Sequence, residues 1–290
     1  MKALVFGLGS IGVRHVRNLK ALRPDCLIVG ADPRLAGPLQ SAISNGYHDS
    51  LPVTYLYEDW HKALERHRDA DAAIIASPTQ FHMEQMEACA ARSIPFYVEK
   101  PLVALEQMNP MMIDLLDDCA DLRCAVGFQY RFHSVYHEAA YKIVVNGCAR
   151  FYACDDLLTK YGPDCLSYIA AHPIDAALWL LGPAVLVHLE TDGLTVRGTI
   201  EHAHGESFHD YRIDAKTRIS TVITQKNGGR DSEGWSLYAN DEMYRDALAA
   251  WLAWATGGAA RDDRMATLED GLRVMEVMAQ TKIKEGETWQ

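Results

Sequence analysis

Three closely spaced glycines near the start of the chain constrain its fold more than any other feature. Gly7, Gly9 and Gly12 follow an apolar run, Ala3–Phe6, that shows no alternation of polar and apolar residues. Such a run is typical of a strand that is buried on both faces of a parallel sheet. After Gly12 the apolar residues recur with helical spacing. A strand, this glycine turn and a helix, in that order, predict a site for the phosphates of a dinucleotide at a helix N-terminus.

The spacing of the glycines has a mechanical reason at each position. The first glycine permits the tight turn from strand to helix, the second lets the backbone approach a pyrophosphate, and the third allows close packing of helix against strand. A second apolar run ends at Asp32, at the distance from Gly12 where a carboxylate accepts hydrogen bonds from the adenosine ribose. Asp32 therefore favours NAD as the cofactor. Arg34 keeps NADP open, because an arginine there could meet a 2′-phosphate.

Apolar runs that predict buried strands alternate with helical patterns in the first half of the chain. After the first two strands, further strands are predicted at 54–57, 71–76, 94–99 and 124–130. Strands that alternate with helices in this way are typical of a doubly wound parallel sheet. We therefore predict an α/β fold in which residues 1–123 form a Rossmann dinucleotide-binding domain.

The pattern changes after Arg131. Runs rich in Val, Ile and Thr between residues 184 and 224 are separated by Asp-Gly or His-Gly, which predicts an antiparallel sheet. The chain closes on two segments with apolar stripes at helical spacing, 243–255 and 267–279. Residues 124–290 are therefore expected to form a C-terminal α+β domain built on a mostly antiparallel sheet.

The charge and cysteine content argue against several classes of function. The formal net charge is −11 and the basic residues are scattered, so we expect no nucleic acid partner. No apolar run approaches the length of a membrane span and the N-terminus enters a strand at once, so we expect neither a membrane partner nor a signal peptide. The seven cysteines form no Cys-x-x-Cys pair, which favours buried thiols in a reducing compartment, the cytoplasm. His202 and His204 could share one face of a strand, but no third ligand follows nearby and we predict no metal site.

Polar residues follow one of the predicted strands where ligands bind in sheets of this class. In a doubly wound sheet the ligand lies beyond the carboxyl ends of the strands. Ser77, Pro78 and Thr79 follow the strand at 71–76, and His82 lies just beyond them. We therefore expect these four residues to lie at the cofactor.

Several longer motifs point to a known family. They are Gly7-x-Gly9-Ser10-Ile11-Gly12-x-x-His15, Ser77-Pro-Thr-x-x-His82, Glu99-Lys100-Pro101, His172-x-x-Asp175 with Trp179-Leu-x-Gly182, and Thr267-Leu-Glu-Asp-Gly-Leu. With them the chain resembles, over essentially its whole length, the glucose-fructose oxidoreductase, inositol dehydrogenase and rhizopine-catabolism (Gfo/Idh/MocA) family of NAD(P)-dependent oxidoreductases. The Glu-Lys-Pro that follows a strand is the most specific of these motifs.

The resemblance implies roles for three catalytic candidates. In the family, the lysine that matches Lys100 lies beside the nicotinamide and the reacting carbinol, and the proline after it often follows a cis peptide. The histidine that matches His172 helps to take the hydroxyl proton. Many members carry an aspartate four residues before that histidine, where this chain has Tyr168. A tyrosine hydroxyl is a poorer base than a carboxylate at pH 7, although it can relay a proton or donate to a sugar oxygen.

The same resemblance implies further site residues. Gln129 stands where relatives place a polar residue near the cofactor, Arg131 and His133 stand on the substrate side, and the acid that matches Asp175 lies near the substrate. An arginine fork suits a carboxylate or a phosphate. The predicted cofactor-binding residues are Gly7, Gly9, Ser10, Ile11, Gly12, Asp32, Arg34, Ser77, Pro78, Thr79, His82, Glu99, Lys100 and Gln129. The predicted substrate-binding residues are Lys100, Arg131, His133, His172 and Asp175.

The resemblance implies an NAD(P)-dependent oxidoreductase that transfers a hydride between nicotinamide and a carbinol or carbonyl of a sugar-like substrate. A sugar, an inositol, a sugar acid and a nucleotide sugar all fit this description. Two alternatives stay open: a catalytically silent, nicotinamide-binding sensor of the same fold, and a glycosidase that uses NAD transiently. By the same resemblance, the C-terminal domain is expected to bind the substrate and to join copies of the chain into a homodimer or homotetramer.

Overall fold

The computed structural model describes residues 1–36, 51–108, 111–134, 148–155, 170–192, 195–213, 221–226, 232–237 and 241–283. The chain divides into two compact units. The first unit comprises Met1–Gln129 and Asp241–Glu269, and the second comprises Tyr130–Asn240 and Asp270–Gln290. The sequence predicts a single division after residue 123, whereas the units are interleaved along the chain.

The helices and strands follow the predicted order. The described α-helices are α1 (Ser10–Leu22), α2 (Trp60–Arg66), α3 (His82–Ala90), α4 (Met111–Asp118), α5 (Ala171–Leu181), α6 (Asp241–Ala255) and α7 (Leu268–Ala279). The described strands are β1 (Lys2–Phe6), β2 (Leu27–Ala31), β3 (Tyr55–Tyr57), β4 (Ala72–Ile75), β5 (Phe96–Glu99), β6 (Ala125–Gly127), β7 (Cys148–Asp155), β8 (Ala184–Thr191), β9 (Thr195–His202), β10 (Gly205–Ile213), β11 (Thr221–Lys226), β12 (Ser232–Leu237) and β13 (Lys282–Ile283). None of the described helices is long and apolar enough to cross a membrane.

The first unit is built on a parallel sheet with the strand order β3-β2-β1-β4-β5-β6. All four residues of β4 and of β5 are buried, as the unbroken apolar runs predict. The order reverses beside β1, whose neighbours are β2 and β4. This reversal opens a crevice beyond the carboxyl ends of β1 and β4, where sheets of this class bind nucleotides. The predicted Rossmann fold is confirmed.

Helix α6 belongs to the first unit, although the sequence division assigned it to the C-terminal domain. Its Trp251 is fully buried, and the indole Nε1 donates a hydrogen bond of 2.9 Å to the carbonyl oxygen of Arg123. The same ring lies 5.6 Å from that of Tyr97 on β5. At the start of α6, Asp241 forms an ion pair with Arg14 on α1, with 2.7 Å between Oδ1 and Nε. An apolar stripe predicts that a helix is packed but not which surface it covers.

The second unit is built on a sheet with the strand order β12-β11-β7-β10-β9-β8-β13. The pairs β7–β10 and β8–β13 are parallel, and the other four pairs are antiparallel. The predicted C-terminal domain on a mostly antiparallel sheet is thus confirmed. Helix α5 packs beside β10 and is buried around almost its whole circumference, as an apolar helix requires. It ends at Gly182, whose φ of +84° favours glycine.

A chain of hydrogen bonds runs through the buried side of β9 and β10. His202 Nδ1 lies 2.9 Å from the carbonyl oxygen of Gly182, and its Nε2 lies 2.7 Å from Ser207 Oγ. His209 Nε2 lies 2.7 Å from the same Oγ. Because a carbonyl oxygen can only accept, His202 Nδ1 carries the proton, its Nε2 accepts from Ser207, and Ser207 accepts from His209. Burial lowers the pKa of both histidines, which keeps both imidazoles neutral at pH 7, and His202 takes part in this chain while His204 is exposed.

We expect acid to destabilise the second unit through His209. Burial, with a smaller contribution from His202, lowers the pKa of His209 from 6.5 to about 3. The unfolded chain therefore binds a proton below about pH 6.5 that the folded unit does not, so the free energy of unfolding falls as the pH falls. One such imidazole costs about 1.4 kcal/mol per pH unit in this window. Hydrogen exchange of the β10 amides between pH 7 and 5, corrected for the intrinsic exchange rates, measures the loss.

His209→Gln is the matched variant, because its amide can still donate to Ser207 but does not titrate. We expect the stability of this variant to depend less steeply on pH than that of the parent. Equal slopes for the two proteins would contradict the assignment of a neutral His209.

Candidate functional site at the carboxyl edge of the parallel sheet

The first unit brings many of the predicted cofactor-binding residues to one edge of its sheet. The glycine turn follows β1, Asp32 follows β2, Ser77 follows β4, Lys100 follows β5 and Gln129 follows β6. Since all these strands are parallel, their carboxyl ends lie at the same edge. The geometry therefore gathers residues from five separate segments into one candidate nucleotide site.

The three glycines of the turn have different surroundings. Gly7 has a φ of +86°, and a Cβ built on it would lie 2.5 Å from the carbonyl oxygen of Ala76. A Cβ on Gly12 would lie 1.9 Å from the carbonyl oxygen of Gly7. A Cβ on Gly9 would meet no described atom closer than Arg34 Nη2, at 3.9 Å. Packing therefore requires Gly7 and Gly12, whereas Gly9 leaves its side of the turn open to a ligand.

Asp32 fixes the glycine turn to the end of β2. Its Oδ2 accepts a hydrogen bond of 2.7 Å from the backbone N–H of Leu8, and Arg34 Nη2 lies 2.6 Å from the same atom. Its Oδ1 accepts from the backbone and the Nε of Arg34, at 2.9 and 2.8 Å. Burial alone would raise the pKa of Asp32, but the hydrogen bonds from Arg34 and Leu8 outweigh it and hold the pKa below its ordinary value. The carboxylate is thus ionised and forms part of the edge.

His82 joins the segments that follow β4 and β5. Its ring is fully buried, with Nε2 at 2.9 Å from the carbonyl oxygen of Ser77 and Nδ1 at 3.1 Å from that of Pro101. Ser77 Oγ donates to Gln85 Oε1 at 2.6 Å. The hydrogen bonds of His82 and Ser77 thus stabilise the segments that follow β4 and β5. Of the neighbouring candidates, Pro78 is exposed and Thr79 is half-buried, so both can meet a ligand directly.

Lys100 and Glu99 end β5 and differ in their surroundings. Lys100 is half-buried, and its peptide bond to Pro101 is cis. The Glu99 carboxyl is buried, and its Oε1 lies 2.6 Å from Nε2 of His15 on α1. Glu99 therefore reaches into the unit, toward a residue for which the sequence suggested no function. The signal available in the sequence was the helical spacing of His15 with Gly12, Val16 and Leu19, which the structure shows as one buried face.

Gln129 provides a direct test of whether the edge fits a nucleotide. Its side chain is 1% exposed, and neither Oε1 nor Nε2 has a hydrogen-bond partner among the described residues. A buried amide without partners is rare, because each unmet group costs roughly 1–3 kcal/mol. A ligand with both a donor and an acceptor, such as the carboxamide of nicotinamide, would satisfy both atoms. With the open side of Gly9, this makes the residues present fit a nicotinamide dinucleotide.

In the second unit, contacts of His172 and Arg131 connect helix α5 with the segment at residues 130–131. The His172 ring stacks on Tyr130, with the centroids 4.1 Å apart and the planes 3° from parallel. One residue further, Arg131 Nε donates to Asp175 Oδ2 at 2.9 Å, and Arg131 Nη1 donates to Asp270 at 3.2 Å. Because His172 and Asp175 are both on α5, the two contacts fasten that helix to residues 130–131.

Two of the predicted substrate-binding residues, Arg131 and Asp175, form a buried ion pair with each other. Arg131 is 3% exposed and Asp175 is 1% exposed, so each has the other as a partner inside the unit. Burial raises the pKa of Asp175 to about 6 against the opposing effect of Arg131, which leaves the pair ionised at pH 7. His133, two residues after Arg131 in the chain, is half-buried. Tyr168 lies outside the described residues.

The comparisons with known proteins agree with this geometry. Residues 1–128 match the sequence model of GFO_IDH_MocA, described as an oxidoreductase family with an NAD-binding Rossmann fold. The chain is 27% identical over 143 residues to a scyllo-inositol 2-dehydrogenase (NAD(+)) of Bacillus subtilis, which covers 49% of this chain and 40% of that protein. It is 31% identical over 133 residues to a myo-inositol 2-dehydrogenase of Thermotoga maritima, which covers 46% of this chain and 37% of that protein. The matches thus span about two fifths of these relatives.

Solved structures share the fold over nearly the whole chain. A myo-inositol 2-dehydrogenase from Lactobacillus plantarum superposes with a TM-score of 0.77 at 16% identity, covering 96% of this chain and 95% of the other. An oxidoreductase from Agrobacterium radiobacter, in complex with NAD+, L-tartaric acid and magnesium, gives a TM-score of 0.74 at 16% identity, with coverages of 97% and 95%. At such identities the similarity demonstrates the two-part fold.

We expect Asp175→Ala to destabilise the second unit strongly. Removing the carboxylate leaves the guanidinium of Arg131 buried with the partly exposed Asp270 as its one counterion among the described residues, and breaking a buried pair in this way costs about 3–5 kcal/mol. Urea unfolding at neutral pH measures the change. Asp210→Ala is the control, since the pair of Arg197 and Asp210 in the same unit is exposed and worth less than about 1 kcal/mol. Similar losses for the two variants would contradict the expectation.

Proposed function

We propose that the protein is an NAD-dependent oxidoreductase of the Gfo/Idh/MocA family, whose sequence model, with an NAD-binding Rossmann fold, matches residues 1–128. It acts on a CH–OH group, or the corresponding carbonyl, of a sugar-like substrate. One observation carries the proposal: the glycine turn, the ionised Asp32, the unsatisfied amide of Gln129 and Lys100 converge on one edge of the sheet. When bound there, NAD supplies the nicotinamide ring that accepts or donates the hydride.

The residues at the sheet edge would bind and orient the cofactor. The backbone at Gly9 and the first turn of α1 would approach the pyrophosphate, because the amide groups of a first helical turn point at a ligand. Asp32 would accept hydrogen bonds from the adenosine ribose. The pairing with Asp32 would offset part of the positive charge that Arg34 could offer to a 2′-phosphate, and the Asp32 carboxylate would repel that phosphate. This arrangement supports NAD over NADP.

Lys100 and His172 would handle the proton of the reacting hydroxyl. The ammonium group of Lys100 would stabilise the negative charge that develops on the hydroxyl oxygen as it loses its proton, before the carbonyl forms with loss of the hydride from carbon. The imidazole of His172, whose ring plane is fixed by Tyr130, would take the proton, and Tyr168 would relay it. Arg131 and Asp175 would act on this step through the position of α5. His133 remains a proposed substrate contact.

We also propose that the protein works in the cytoplasm as a homo-oligomer. Four cysteines, Cys26, Cys89, Cys119 and Cys124, are free thiols, in keeping with a reducing compartment. Apolar side chains on the second-unit sheet, Val185 and Ile283, are 70% and 77% exposed, which supports contact with another copy.

Lys100→Ala tests the proposed chemistry. We expect kcat to fall by about 10²–10⁴-fold, the range typical of a group that acts on a proton in the transition state, while NAD affinity changes little. Absorbance of reduced nicotinamide, followed with NAD and NADP over polyols, sugar acids and nucleotide sugars, measures turnover, and calorimetry measures binding. A near-normal rate in the variant would overturn this role for Lys100. Tight NAD binding by the parent without turnover of any compound would favour a sensor instead.

Two glycine variants separate cofactor binding from folding. We expect Gly9→Ala to leave the unfolding free energy within about 1 kcal/mol of the parent but to weaken NAD binding, because the new methyl group occupies the open side of the turn. Gly12→Ala should destabilise the first unit by several kcal/mol, at the upper end of point-mutant effects, because its methyl group would overlap the Gly7 carbonyl. Calorimetric titration with NAD and urea unfolding measure the two effects. Unchanged NAD affinity in Gly9→Ala would remove the turn from the site.

A further inference from the structure

Glu99 and His15 form a buried polar contact directly behind the proposed catalytic lysine. His15 is fully buried and Glu99 is 6% exposed, and His15 Nε2 lies 2.6 Å from Glu99 Oε1. The sequence predicts Glu99 as a cofactor ligand, but this contact turns its carboxyl toward α1. A carboxyl is expensive to bury unless it is paired, and here it is paired with His15 through a directional contact that an apolar residue could not make.

Three elements of the sheet edge meet at the Glu99 carboxyl. His15 is on α1, the helix that begins at the glycine turn. Glu99 ends β5 and is followed directly by Lys100. Gly127 on β6 is paired with Glu99 in register, and a Cβ built on it would lie 3.1 Å from three atoms of the carboxyl group. The carboxyl is therefore held between α1 and a glycine two residues before Gln129.

The surroundings of the pair are aromatic and contain few hydrogen-bonding groups. The His15 ring lies 5.5 Å from that of Tyr97 and 6.2 Å from that of Tyr244, both edge-on. The guanidinium of Arg14 covers the Tyr244 ring at 4.5 Å. His15 Nδ1 and Tyr97 Oη have no hydrogen-bond partner among the described residues. A directional bond in such a setting fixes the separation of α1 and β5 more strictly than apolar packing does.

We propose that His15 and Glu99 are positioning residues that hold Lys100 in place relative to the glycine turn. This proposal rests on the proposed function. It makes the pair the link between the glycine turn, which would bind the cofactor phosphates, and the amine of Lys100, which would meet the reacting carbinol. A misplacement of about 1 Å in a catalytic constellation can cost about 10²-fold in rate. Cofactor binding at the turn thereby also orders the end of β5.

His15→Ala and Glu99→Gln test the proposal by a kinetic separation. We expect His15→Ala to lower kcat about 10–100-fold while the Kd for NAD stays within about threefold. Glu99→Gln keeps the shape and an acceptor for an N–H of His15, so it should retain more activity. The double variant should be no slower than His15→Ala, because without His15 the side chain at position 99 has already lost this contact. An unchanged kcat, or a loss of NAD affinity that matches the loss of kcat, would overturn the proposal.

Hydrogen exchange supplies a test that needs no turnover. In the parent, NAD should protect amides of the glycine turn and those of Val98, Glu99, Lys100 and Leu102 at the end of β5. In His15→Ala, and in His15→Gln should the first variant fold poorly, protection should remain at the turn and be lost after β5. Equal protection of both segments in parent and variant would refute the link, even if no substrate were turned over. Absence of turnover in the parent alone would instead contradict the proposed function.

His67→Ala is the matched control. His67 is another buried histidine of the first unit, with its Nε2 3.0 Å from the hydroxyl of Tyr57. Its removal should lower stability without changing kcat or the protection after β5. If His67→Ala lowered kcat as much as His15→Ala did, the effect would be one of general stability and the positioning assignment would fail.

Discussion

Parallel pairing of β1 with both β2 and β4 is the constraint on which the candidate site depends. Because the chain runs the same way in all three strands, the segments that leave their carboxyl ends must emerge on one side. The glycine turn can make its sharp change of direction there only because Gly7 and Gly12 have no side chains. Asp32 then fastens the turn to the neighbouring segment with an ionised carboxylate. The site is thus a product of sheet topology first and of side-chain chemistry second.

In the second unit, aromatic stacking and a buried ion pair fix the position of helix α5. A stacked ring holds His172, and a buried ion pair holds Asp175 on the same helix. A buried pair often gains little stability over apolar packing. Both contacts, however, are directional, and a fixed direction is what the proton transfer proposed for His172 would need.

Much of this arrangement could be predicted from the sequence, and the part that could not has a physical reason. The glycine spacing and the unbroken apolar strands are local signals, so the Rossmann fold and the place of Asp32 followed from them. The partners of Glu99 and Arg131 lie 84 and 44 residues away in the chain. A charged residue shows in sequence that it will need a partner, but not which distant segment supplies it. For the same reason the stripe on α6 predicted burial without naming α1 and β5 as the covered surface.

The interleaving of the two units bears on how the protein is made. The first unit is left at residue 129 and completed only by residues 241–269. Until Trp251 has been synthesised, the surface that it covers beside Tyr97 stays exposed, and a chain emerging from the ribosome must carry that apolar surface while more than a hundred further residues are added. Complete burial of the core of the first unit therefore waits until residues 241–269 have been synthesised.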